Sequence, residues 1–363
     1  MLKFNPLNEK IKKQYEDVLL HGTHKEKRTT DAAWKAINMF EIFTQKADFI
    51  TFNAEQAKGF KKWLAKKKNA KGEYLSLSTV RSILANVREF FKWLSIHPKY
   101  IRKIDGRIIG YLHLSKNDDR AGRASRPKPT PTLEQVNIVL NAMPHKSDTE
   151  RRDRAIVAFI ALTGMRDAAV ISLRLGDVDV EKQTVWQNPR HVRTKNRKPI
   201  NSHFLNFSPL WKEIVLDWLN YCEHELNIKP NAPLFPKTEV KNNPKTMTFE
   251  AVGLSSEHWA NTMPIREIFK ASFARAELPY FHPHSFRRMI AVLGLEQCSQ
   301  KQMKAISQSL GHEHIMTTYN AYGTLNEHDE RQAIQSIGRG KSELKSISDD
   351  ELWAELNARR EKQ

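Results

Sequence analysis

Cysteine is almost missing from this chain: Cys222 and Cys298 are the two in 363 residues, and neither has a CxxC or CxxH spacing. That excludes a disulfide framework and a cysteine-based zinc knuckle, and a reducing, cytoplasmic setting fits, with both thiols structural. No apolar run approaches the ~18–20 residues needed to cross a bilayer. The opening MLKFNPLNEK lacks the apolar core of a secretory signal, so neither membrane residence nor export is expected. No internal repeat is evident. Acidic residues are also short: 41 Asp/Glu stand against 59 Lys/Arg, a net charge of +18, and no conspicuous acidic cluster interrupts the excess.

What is present is positive charge, unevenly spread. Residues 1–126 hold 27 Lys/Arg and 13 Asp/Glu, so most of the excess lies in the first third. Concentrated positive charge binds phosphates whatever the base sequence, releasing counterions as it does so. Nucleic acid is the leading partner, ahead of an acidic membrane surface. The same third reads as helical. TTDAAWKAINMFEIF offers Thr30 as a cap, then Ala33, Trp34, Ile37, Phe40 and Phe43 on one stripe. In STVRSILANVREFFKWL, Val80, Ile83, Leu84, Val87, Phe91 and Leu94 follow the helical spacing. Arg81, Arg88 and Lys92 lie off that stripe, free to face a nucleic-acid groove. NAEQAKGFKKWLAKKK adds a lysine-ended segment. A charge run by itself is as readily a solvated face as a binding face.

Residues 115–132, SKNDDRAGRASRPKPTPT, are polar and carry three prolines near their end. This stretch is expected to be neither helix nor central strand but an interdomain linker. Thr132 and Gln135 then make a capping box for LEQVNIVLNAM. Beyond it, RRDRAIVAFIALTG reads as a buried helix stopped by Gly164, and AAVISLRLGDVD as a short helix running into a turn. QTVWQNPRHVRTKNRKPINSHFL has the β-branched runs of a small antiparallel sheet, after which helices dominate to about residue 335. Residues 339–363 carry six Lys/Arg and six Asp/Glu, with Leu352, Trp353 and Leu356 on one face of a short capped helix. A neutral helix with aromatics suits docking on protein, its own domain or another copy, better than DNA.

The second domain also sets polar groups beside apolar elements: Arg166 after LTGM, Lys195 in VRTKNRK, His284 and Arg287 in HSFR, His312 after LG, and Tyr322 ten residues further on. Such a set suits phosphodiester chemistry without metal. Guanidinium forks match pairs of phosphate oxygens and offset the charge that grows in a pentavalent transition state. A tyrosine hydroxyl, with pKa near ~10, becomes a nucleophile once a base takes its proton. A lysine beside the phosphate can protonate the departing sugar oxygen. Two HxH pairs, His282/His284 and His312/His314, raise the alternative of a metal hydrolase, but the residues after His284 read as helix, where i and i+2 diverge.

In this order, TGMR, TK, HSFR, LGH and a downstream tyrosine resemble the tyrosine recombinase, or phage-type integrase, family across roughly 130–335. The resemblance implies a multidomain chain: an all-α N-terminal core-binding domain over 1–114, a linker over 115–131, a mixed α+β, mainly helical catalytic domain with a small antiparallel sheet over 132–338, and a tail helix over 339–363 that docks in cis or in trans. It implies a site-specific recombinase that cuts and rejoins double-stranded DNA through a 3′-phosphotyrosine, with no cofactor and no metal. Arg166 and Arg287 would clamp the scissile phosphate, Lys195 would protonate the 5′-oxygen, His284 would accept the tyrosine proton, His312 would hydrogen-bond the phosphate, and Tyr322 would attack. Partners implied are a homodimer per site, a tetrameric synapse, and accessory recombinase or DNA-bending proteins.

The pattern departs from the family in two places. Many members place the tyrosine nine residues after the LGH histidine, where this chain has Ala321, with Tyr319 and Tyr322 on either side. The TTxxxYG form of one branch favours Tyr322. Many members also carry an acid three residues after the first arginine, where Ala169 stands here; Asp167 is the candidate substitute. Lys198 competes with Lys195 across one turn, since a one-residue slip reverses the face. A recombinase-like binding module without catalysis and a type IB topoisomerase remain as alternative readings.

Overall fold

The structure, a computed structural model, describes residues 4–123, 129–243, 247–312, 331, 334 and 335. The chain divides into two compact units, Met1–Ser125 and Arg126–Gln363. Tyr319, Tyr322 and the tail lie outside the described residues.

The first unit is built from α1 (Pro6–Asp17), α2 (Lys27–Phe43), α3 (Ala54–Lys66), α4 (Leu77–Ser95) and α5 (Lys116–Arg123). Its core is aromatic. Phe40 meets Phe60 and Phe91 edge to face at 5.1 Å each, and Phe52 stacks on Phe91 at 3.8 Å. Such contacts add about 0.5–1.5 kcal/mol apiece to the area they bury. The expected stripes hold on α2 and α4, where Ala33, Ile37, Phe40, Val80, Leu84, Val87, Phe91 and Leu94 are buried.

Two expectations need correction here, and one element is new. Thr30 is not a cap: α2 begins at Lys27, and the Thr30 hydroxyl bonds back to the Glu26 carbonyl. A full helix, α1, precedes it, opened by Asn5, whose side chain accepts from Leu7 N and Asn8 N. Residues 116–123 are helix rather than linker. The three prolines lie beyond them, Ser115 accepts from Asp118 N, and Asp119 ties the helix to Arg81 of α4 at 2.8 Å.

In the second unit, α6 (Leu133–Ala142) opens on the expected Thr132–Gln135 capping box. It leads to α7 (Asp148–Thr163), on which every residue from Ala155 to Leu162 is fully buried. A helix apolar all round belongs at the centre. Around it lie α9 (Pro209–His224), α10 (Met263–Arg275) and α11 (Pro283–Gln297), with α12 (Gln300–Ser309) packed on α11. The four-residue α8 (Asp167–Val170) follows α7 directly. The expected sheet is β1 (Val178–Asp179), β2 (Thr184–Gln187) and β3 (Ile200–His203), antiparallel throughout, with Gln187 opposite Ile200. A second hairpin, β4 (Thr238–Asn243) and β5 (Thr248–Leu254), interrupts the run expected to be helical. Phe249 is 79% exposed, so this hairpin buries neither face and carries no alternation to read.

One buried ion pair fixes α1 on α2. The Lys12 ammonium, 2% exposed, lies 2.6 Å from Glu41 Oε2 and 2.9 Å from Asn38 Oδ1. Asn8 Nδ2 donates to Glu41 Oε1 at 3.0 Å. Removing one partner strands the other charge, so Glu41→Ala is expected to cost about 3–5 kcal/mol. The loss should show as faster amide exchange across α1 and α2, and unchanged exchange would refute it.

Candidate active site

The end of α7 sets the first residue of the site. Gly164 caps the helix at φ 61°, a left-handed conformation. A Cβ there would lie 2.5 Å from Leu310 Cδ2 and 2.8 Å from Ile290 Cδ1, so the position tolerates glycine alone. The chain then turns through buried Met165 to Arg166, the N-cap of α8. Arg166 is half-buried, burial holds its pKa below that of an ordinary guanidinium, and it has no hydrogen-bond or ion-pair partner among the described residues.

Arg287 rises from the second turn of α11 and is 5% exposed. Its Nη1 donates to the Gly164 carbonyl in a short bond, its Nη2 to the Leu310 carbonyl at 2.7 Å, and Nη2 again to His312 Nε2 at 3.1 Å. Gly164 and Leu310 cap the C-termini of α7 and α12, where carbonyls are otherwise unpaired and carry the negative end of the helix dipole. Among the described residues no carboxylate joins them. Burial first, and neighbouring Arg166 second, push the Arg287 pKa down to about 9, which still leaves it charged at neutral pH.

Both histidines are neutral for related reasons. His312 follows α12 after Gly311, at φ 67°, where a Cβ would stand 2.6 Å from Ile200 Cδ1. Its Nε2 accepts from Arg287, which places its proton on Nδ1. Burial and then Arg287, Arg166, His284 and Lys195 lower its pKa to about 4. His284, one residue after Pro283 at the positive end of α11, reaches solvent, yet partial desolvation and the charges of Arg287, His282, Arg166 and Arg288 bring it to about 4 as well.

Lys195 lies in the connection between β2 and β3, exposed, and its charge is felt at His312. The sheet is held to α12 by buried polar groups: Gln187 Nε2 donates to Ser202 Oγ at 2.8 Å, Ser202 Oγ to the Ser309 carbonyl at 2.7 Å, and His203 N to Ser309 Oγ at 2.8 Å. Sequence reading missed this chain of bonds. Its signal was present, since Gln187 and Ser202 fall on the inward positions of their strands, where a polar side chain needs a partner.

Arg166, Arg287, His284 and His312 thus come together, with Lys195 at their edge. Asp167 does not join them: its carboxylate accepts from Ala168 N and faces Arg266 at 3.8 Å. In the first unit the three basic residues of α4 are not free. Arg81 is bound to Asp119, Arg88 Nη1 lies 3.3 Å from His113 Nδ1, and Lys92 pairs with Glu89 at 3.0 Å. Arg81 and Arg88 line a cleft of ≈ 380 Å³ with Lys116 and Arg123.

A histidine whose pKa falls from 6.5 to about 4 on folding destabilises the fold when acid is added. The unfolded chain binds protons that the folded site refuses. The stability from the neutral rings is complete above pH 6.5 and is lost as the pH falls towards 4. The melting temperature of the wild type should therefore drop more steeply over this window than that of a His284→Gln/His312→Gln variant. Parallel curves would refute the neutral pair.

Residues 132–329 match the Phage integrase family. Tyrosine recombinase XerC of Oceanobacillus iheyensis is 26% identical over 250 residues, covering 67% of this chain and 69% of its own. A lambda integrase dimer bound to a COC′ core site superposes with a TM-score of 0.60 at 11% identity, over 88% of this chain and 96% of that one. The Tn1549 transposon integrase in complex with transposon right end DNA gives 0.57 at 14% identity, over 90% and 99%. With more than half its length matched, the chain belongs to the phage integrase family, the tyrosine recombinases.

Proposed function

We propose that the chain is a site-specific recombinase that cuts and rejoins duplex DNA through a 3′-phosphotyrosine. The observation that carries this reading is the positive charge of Arg166 and buried Arg287, uncompensated among the described residues, beside two neutral histidines. A guanidinium buried without a carboxylate is costly unless an anion completes it. A scissile phosphate does so, and more strongly as its charge grows in the transition state.

The geometry of the described residues supports the roles that the family resemblance implies. Arg287 uses three of its donors on protein acceptors, leaving two of the five on a guanidinium for phosphate oxygens. Arg166 contributes a whole unpaired fork. His312, held by Arg287 through Nε2, would hydrogen-bond the phosphate. His284, neutral at physiological pH, takes the proton of the Tyr322 hydroxyl as its oxygen attacks phosphorus. A bound phosphate offsets the cations that depress His284 and so raises its basicity. The P–O5′ bond breaks, and Lys195 supplies the proton that leaves a free 5′-hydroxyl. Attack by another 5′-hydroxyl reverses the step. The electrostatic coupling of Lys195 to His312 supports Lys195 over Lys198.

The basic first unit would grip the duplex beside this site, as the charge excess of residues 1–126 supports. By analogy with the DNA-bound relatives, two protomers would occupy one site and four would form the synapse. The tail, with Trp353 as anchor, would dock on a neighbour and close the ring.

In EDTA, wild-type protein mixed with fragmented DNA from its source should yield a peptide–nucleotide adduct on Tyr322. Tyr322→Phe should abolish it and Tyr319→Phe should not. Arg287→Lys should slow it about 10²–10³-fold, as loss of an oriented donor does. Intact DNA binding with no adduct from any variant would instead favour a binding module.

A further inference from the structure

We infer that His191, held on the Asp177 carboxylate, and Ser172, which holds Arg193, are positioning residues for Lys195. The inference rests on the reading of Lys195 as the acid that protonates the leaving oxygen.

The connection from Asn188 to Pro199 is long for a β-hairpin, whose loops commonly run 2–5 residues. A lysine at its tip would sample many positions unless the loop were tied down. At the tip the loop closes on itself through two long backbone bonds, Arg197 N to the Thr194 carbonyl at 3.3 Å and Lys198 N to the Lys195 carbonyl at 3.5 Å. Lys195 is exposed, the buried Thr194 hydroxyl has no partner among the described residues, and Asn196 and Arg197 adopt φ of 59° and 51°. Left-handed non-glycine residues cost about 1–3 kcal/mol each and persist where the surroundings over-determine them.

The surroundings do so just before the tip. Asn188 folds the first half on itself, its carbonyl accepting from Val192 N at 2.8 Å and its Oδ1 from Arg190 N at 3.1 Å. From there four bonds leave the loop. His191 Nε2 donates to both oxygens of Asp177, at 2.9 and 3.0 Å. Arg193 N donates to Ser172 Oγ at 2.9 Å, and Arg193 Nη1 to the Ala260 carbonyl at 2.9 Å. Between them Val192 is buried.

These anchors are themselves fixed. Asp177 accepts from Arg174 N at 2.8 Å, and Ser172 Oγ donates to the Ala169 carbonyl at 2.9 Å. Ala169 belongs to α8, which Arg166 caps. The phosphate-binding arginine and the lysine are therefore referenced to one short helix, with Ser172 as the link. Ala169 itself is buried and offers no polar side chain. Ser172 and Asp177 reach the loop in its place.

A test separates positioning from general weakening of the fold. Two suicide duplexes differ only in the scissile linkage, one with an ordinary 5′-bridging oxygen and one with 5′-bridging sulfur. A thiolate leaves without a proton, so the sulfur substrate does not need the acid. Lys195→Ala should lose about 10²–10⁴ in adduct rate on oxygen and recover on sulfur. His191→Ala and Ser172→Ala should each lose about 10–100-fold on oxygen, as supporting residues do, and recover on sulfur with DNA affinity unchanged. His191→Gln, which keeps a donor for Asp177, should fall between His191→Ala and wild type. Equal losses on both substrates, or none on oxygen, would overturn the positioning role while Lys195→Ala still recovers. If Lys195→Ala itself fails to recover, the reading of Lys195 as acid falls, and the inference with it.

Discussion

A single buried guanidinium organises this site. Arg287 takes the last carbonyls of two helices and the Nε2 of His312, so α7, α11 and α12 meet at its three donors. The packing around it leaves little freedom. A side chain on Gly164 would strike Leu310 and Ile290, and one on Gly311 would strike Ile200. Because the acceptors are carbonyls and an imidazole rather than carboxylates, the positive charge is solvated but not cancelled. Burial first, and this charge after it, keep both histidines unprotonated. Geometry and appetite for an anion thus follow from one residue, which also adds to the effect of burial on the histidines.

The residues of the cluster were legible in the sequence because each sits in a local motif whose partner is backbone: a helix stop at Gly164 before Arg166, a helix start before His284 and Arg287, and a helix end before His312. The small sheet and the amphipathic stripes of α2 and α4 were legible through periodicity. What escaped was polar and long-range. Gln187, Ser202 and Ser309 form their chain of bonds across more than a hundred residues, and His191 finds Asp177 from the far side of β2. Hairpin β4–β5 buries neither face, so it shows no alternation, and α5 was obscured by the prolines that follow it.

The first unit repeats the lesson in electrostatic form. A helical wheel separates Arg81, Arg88 and Lys92 from the apolar stripe but says nothing of Asp119 or His113, which come from later in the chain to meet them. Charge on this face is partly spent within the unit, and any phosphate bound there competes with Asp119. Its core, by contrast, follows directly from composition: the phenylalanines of α2, α3 and α4 and the segment between α2 and α3 fill one another's edges, and one buried Lys12–Glu41 pair sets α1 against them.

The central claim is that Arg166 and Arg287 form a site for a phosphate before any DNA chemistry begins. The most direct measurement is the melting temperature of the full chain in inorganic phosphate against chloride at equal ionic strength, for wild type and Arg166→Ala. A saturable rise in the wild type, reaching about 1.4 kcal/mol of stabilisation at tenfold excess over the dissociation constant, and its loss in Arg166→Ala, is the predicted result. An equal rise in both proteins would contradict it.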